Sequence, residues 1–95
     1  MIVIWPAQKG LKVREYAETE VVNAHGALLR LDTPLHPGKL VELLDPRSNE
    51  SKTARIVWSH KETDNTARAG VELRSPSETF WGIYIPIQAA VTGAS

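Results

Sequence analysis

Three histidines, His25, His36 and His60, are the side chains of this chain best suited to hold a metal or move a proton. A metal centre built from local sequence needs ligands a few residues apart, whereas these three are separated by 11 and 24 residues and each lies beside a turn. A nucleophile needs a base within hydrogen-bond reach, yet no serine, histidine and carboxylate fall into a recognisable elbow or loop. Cysteine is absent, which removes thiolate chemistry and a disulfide framework. The expectation is a protein that is not an enzyme and holds no metal and no cofactor. One stretch still carries reading groups. In VVNAHGALLRL, residues 21 to 31, Asn23, His25 and Gly26 share a turn between two apolar runs. An amide, an imidazole and a glycine there serve either a ligand's polar edge or the turn itself.

The charge balance narrows the ligand. Lys plus Arg and Asp plus Glu number 11 each, so the formal net charge is zero and no basic field exists to hold a nucleic acid polymer. With 95 residues the chain reads as a single domain, residues 1 to 95. The opening MIVIWPAQKG is apolar but has no basic leader and meets Pro6 early, and no apolar run approaches the roughly 18 residues of a membrane span. A soluble, cytoplasmic protein is expected.

The elements that must position the turn are strands. ARAGVELR, residues 67 to 74, sets Ala67, Ala69, Val71 and Leu73 against Arg68, Glu72 and Arg74. TARIVWSHK alternates likewise, with Ala54, Ile56 and Trp58 assigned to the core side, and KETDNT supplies hairpin residues between the two. Upstream, LKVREYAETEVV reads as one long strand whose apolar face is interrupted only by Glu15. ALLRL and KLVELL follow, separated by DTPLHPG, and IVIW offers a short strand at the start. This is the pattern of an all-β barrel, here about residues 1 to 75.

Past the strands, Ser75-Pro76-Ser77-Glu78 has the order of a capping box with proline at the first helical position. It predicts a short helical segment over about 76 to 86, carrying Phe80, Trp81 and Tyr84, and then a frayed tail over 87 to 95. These rings exceed what a short helix buries on one side, so Phe80, Trp81 and Tyr84 are expected to meet another protein or a second copy.

In order and spacing the pieces resemble the PilZ domains of bacteria, small six-stranded antiparallel β-barrels that serve as receptors or adaptors in cyclic di-GMP signalling. NAHGALLRL is similar to the family's second-motif loop and the strand after it, LHPGKLVELL to its leucine, glycine and apolar strand, and TARIVWSHK to its ARVVW strand. ARAGVELRSPSETFWGI resembles the closing strand and the short helical stretch beyond it, and the FWGI ending is similar to a divergent branch of PilZ-like proteins. The resemblance implies a six-stranded barrel with a short C-terminal helix. It also implies a ligand, cyclic di-GMP, gripped by an RxxxR segment and a D/N-x-S-x-x-G loop. That loop falls on Val21 to Gly26: the glycine is kept, Asn23 stands for the serine, and Val21 replaces the acid or amide. No RxxxR precedes it. The candidate ligand-binding residues are therefore Asn23, His25 and Gly26, with Arg14, Arg30 and Arg55 as possible phosphate partners. The expected function is a PilZ-like module in cyclic di-GMP signalling that works mainly by protein contact, with weak or absent nucleotide binding. The alternative is a genuine receptor using the degenerate site around Asn23 to Gly26. An OB-like oligonucleotide binder comes third, disfavoured by the neutral charge.

Overall fold

Where small apolar and polar residues alternate, the chain forms strands, and in the computed structural model, which describes residues 1–82, there are seven. They are β1 (Ile2–Pro6), β2 (Lys12–Tyr16), β3 (Glu18–Asn23), β4 (Gly26–Leu31), β5 (Leu40–Asp45), β6 (Glu50–Lys61) and β7 (Ala67–Leu73). All pair antiparallel in one curled sheet of order β2-β1-β5-β6-β7-β4-β3. The all-β expectation holds, but the count is seven, not six. The long strand read over residues 11 to 22 breaks at Ala17 into β2 and β3, which become the two edges of the sheet. Ala17 is buried, and it exchanges hydrogen bonds with Met1, donating its N–H at 2.8 Å and accepting the terminal amine at 3.2 Å. From that clamp β2 turns toward β1 and β3 toward β4.

Glu15, the polar exception on the inner face, has a use that the pattern did not reveal. Its carboxylate accepts from the backbone N–H of Asp32 and Thr33 and from the Thr33 hydroxyl, tying β2 to the chain beyond β4. A carboxylate taking several bonds tolerates partial burial that a lone one does not.

The inner face follows the predicted alternation on β7, where Ala67, Ala69, Val71 and Leu73 are buried, and Leu29 and Leu31 are buried on β4. Alanines on β6 and β7 leave room that large rings occupy: Trp5, Phe80 and Trp81 join Val3, Leu43 and Ile56 in one core cluster. Each large apolar side chain removed from water contributes roughly 1.5 to 3 kcal/mol.

Two expectations are corrected here. Trp58 is not in the core; it is 46% exposed. The β6–β7 register passes from Ile56 opposite Val71 to Trp58 opposite Gly70, so Val57 is an extra residue and the side-chain parity flips beyond it. Val57 and Trp58 both stay outside. Among the described residues the short C-terminal helix is also absent, since residues 76 to 82 run in irregular chain, bends and a turn. Ser77, not Ser75, makes the capping contact, its hydroxyl accepting from the Phe80 N–H at 3.1 Å, while its own N–H donates to the Ala24 carbonyl at 2.8 Å. On a helix Phe80 and Trp81 would diverge by about 100°. Here both are buried, edge to face with centroids 5.0 Å apart. Tyr84, the rest of the expected helix and the tail over 87 to 95 lie outside the described residues. Among the described residues no helix is long and apolar enough to cross a membrane.

Candidate functional site: the outer face around the Asn23 to Gly26 turn

The β3–β4 turn is made by its own side chain. Asn23 Oδ1 accepts from the N–H of His25 at 2.8 Å and of Gly26 at 3.0 Å, so no residue of the turn needs a positive φ. Gly26 is required for a different reason from the positive φ a turn glycine usually serves. A Cβ there would collide with the Val71 carbonyl oxygen and lie 3.2 Å from the Glu72 Cα, so glycine lets β4 lie close against β7. Behind the turn, Trp81 donates its indole N–H to the Asn23 carbonyl at 2.7 Å, and the Leu73 N–H reaches the His25 carbonyl at 2.7 Å. The turn is thus fixed from the core side while the Asn23 and His25 side chains remain exposed.

Strand registers arrange the outer face of β6, β7, β4 and β3 in three rows. The middle row is apolar: Trp58 faces Gly70, Gly70 faces Leu28, and Leu28 faces Val21. Val21 is 58% exposed and Val57 stands beside Trp58. Gly70 has no side chain to lift this row, and the Trp58 Cβ would lie 3.4 Å from a Cβ placed there. The result is a shallow groove of about 360 Å³ with Asn23, His25 and Gly26 at one end, Val21 and Leu28 along one side and Val57 across from them. Trp58 also stacks on His60, centroids 6.2 Å apart and planes within 17°.

The rows on either side are charged but internally matched. On one side Arg55 pairs with Glu72 at 3.1 Å. On the other, Glu20 takes Arg30 at 3.0 Å and Arg68 at 2.8 Å, and Arg30 also approaches Asp64 at 3.6 Å. The hydrogen bond from Arg30, with that from Arg68 adding to it, holds the Glu20 carboxyl below the usual carboxylate range. The same bond raises the Arg30 guanidinium. Glu20 itself sits where β3 gains a residue between Thr19 and Val21, and that irregularity turns its side chain toward both arginines.

Of the residues marked from sequence, Asn23, His25 and Gly26 come together in the groove. Arg55 stands at its rim, engaged by Glu72. Arg30 lies in the flanking network rather than at the turn, and Arg14 sits on β2, outside the groove lining. Phe80 and Trp81, expected to meet a partner, are 1% and 7% exposed and belong to the core. Sequence reading did not find Val57, Trp58, Leu28 and Gly70 as a surface row, nor Arg74, which shares a second hollow with His25 and Arg55. Only the strand pairing reveals the row, because the Val57 bulge is invisible in an unbroken alternation. Among the described residues no cluster of three or more metal-ligating side chains occurs.

No family model matches the chain, and neither a curated protein nor a solved structure is significantly similar to it.

Proposed function

We propose that this chain is a PilZ-like signalling module of bacteria that acts by protein contact through the outer face of β3, β4, β7 and β6, binding cyclic di-GMP weakly or not at all. The resemblance of residues 21 to 31 and of the strands after them supports the family reading. The observation that carries the mode of action is electrostatic. Arg30, Arg55 and Arg68, the arginines carried by those strands, each already hold a carboxylate of this chain. The two singly charged phosphodiesters of cyclic di-GMP would have to break those pairs, exchanging one charge-assisted contact for another with little net gain. Between the two neutralised rows lies an apolar one, Trp58, Leu28 and Val21, which suits an apolar protein surface ringed by polar groups.

The second reading, a genuine receptor, draws on Arg74. It makes no ion pair among the described residues and lines the same hollow as His25, so one uncommitted cation is available near the turn.

A photo-crosslinking side chain at position 58, in the cells that make the protein, tests the contact. A discrete protein adduct that Leu28→Asp abolishes is expected. Equal capture from position 52 on the far part of β6, or an adduct indifferent to Leu28→Asp, contradicts the proposed surface.

A further inference from the structure

We propose that the open edge of β2 accepts an extended, acidic segment of another protein as an added antiparallel strand. The argument begins with the ladder. Met1 and Ala17 exchange backbone hydrogen bonds, and in an antiparallel pair such exchanging residues alternate with residues whose N–H and C=O point away. Counting along the register, Val3 with Glu15 and Trp5 with Val13 exchange bonds. The Ala7 N–H to Leu11 carbonyl bond at 2.7 Å continues the series. Lys12, Arg14 and Tyr16 therefore aim their backbone groups away from β1, and among the described residues β2 has no strand on that side.

The same three side chains are exposed, Tyr16 at 72%. Lys12 and Arg14 make no ion pair among the described residues, whereas Arg30, Arg47, Arg55 and Arg68 each hold a carboxylate. Two uncommitted cations two residues apart, beside an exposed tyrosine, match a strand with carboxylates at alternate positions. A second copy fits less well. Antiparallel pairing of β2 with its own symmetry mate sets Arg14 opposite Arg14 or Lys12 opposite Arg14 in two registers, where like charges directly opposite are unfavourable, and the register that sets Arg14 opposite Tyr16 gives it no carboxylate partner on β2. The cations that keep this edge from its own copies leave it open to an acidic strand. The other edge, β3, is bulged at Glu20 and carries Glu18, so it lacks this match.

The test titrates the isotope-labelled full chain with two synthetic peptides, acetyl-Thr-Glu-Val-Glu-Val-Thr-amide and its counterpart with lysine for glutamate, following backbone amides. The glutamate peptide is expected to saturate, shifting the amides of Lys12, Arg14 and Tyr16 and slowing their hydrogen exchange. Lys12→Glu with Arg14→Glu should weaken it by about tenfold, because attraction becomes repulsion at two cross-strand positions. Arg14→Gln, which keeps the strand and removes one charge, should weaken it by a smaller factor. No saturation at millimolar peptide, equal binding of both peptides, or shifts at Asn23 to Leu28 instead of β2 would each overturn the proposal.

Discussion

A side chain on Gly26 meets the Val71 carbonyl rather than an unfavourable torsion, so even alanine, which most turns tolerate, is excluded there. Gly26→Ala is expected to push β4 off β7 and cost at least about 1 to 3 kcal/mol, the range for overpacking. A melting temperature equal to that of the parent protein would contradict the close approach. At Trp58 the expectation runs the other way. Its ring covers outer surface and fills no core site, so Trp58→Ala should lower stability by less than about 1 kcal/mol. Trp5 and Trp81 are buried, so the emission lost in that variant should be the long-wavelength, readily quenched part. A large loss of stability, or loss of the blue-shifted part, would place Trp58 in the core after all.

The elements differ in how openly the sequence announces them. β7 was legible because alternation and burial coincide residue by residue, as Ala67, Ala69, Val71 and Leu73 show. β6 was legible as a strand but not in its second half. Ala54, Ile56 and Trp58 alternate without a break, and only pairing with β7 reveals that Val57 is an extra residue. The Asn23 to Gly26 turn could be located from residue type, yet the neutralisation of Arg30 and Arg55 rests on partners 10 and 17 residues away. The segment after β7 misleads because Ser75-Pro76-Ser77-Glu78 satisfies a helix start locally. The gain from burying both Phe80 and Trp81 outweighs a single turn of helix, whose nucleation is unfavourable. Two variants check that segment. Phe80→Ala should cost about 3 to 5 kcal/mol as a deleted core ring. Trp81→Phe, which keeps most of the volume and loses the indole bond to the Asn23 carbonyl, should cost about 1 to 3 kcal/mol, measured by denaturant unfolding. A cost near zero for Trp81→Phe would mean that the bond does not hold the turn.

For the whole molecule, three carboxylates among the described residues link stability to acid. Glu20 is held low by the hydrogen bond from Arg30, Asp45, almost fully buried, by the one from Arg47, and the exposed Asp64 by the one from the Thr66 hydroxyl. A carboxyl whose folded value is depressed contributes stability that is complete above its unfolded value and disappears as pH falls through the folded one. The melting temperature should therefore be level above about pH 5 and fall below about pH 4. Glu20→Gln should flatten part of that fall, and an unchanged acid limb in this variant would remove Glu20 from the account. The same pairing underlies the reading of function, since arginines committed to Glu20 and Glu72 are not offered to a phosphate. A micromolar nucleotide complex amounts to about 8 kcal/mol, and charge-assisted contacts of roughly 1.5 to 3 kcal/mol each would have to supply most of it. The most direct measurement is a calorimetric titration of the chain with cyclic di-GMP at low salt, beside the variant Val21→Asp with Asn23→Ser. The account predicts no saturable heat from the unmodified chain at low micromolar ligand; saturable binding there would contradict it and make the groove a nucleotide site.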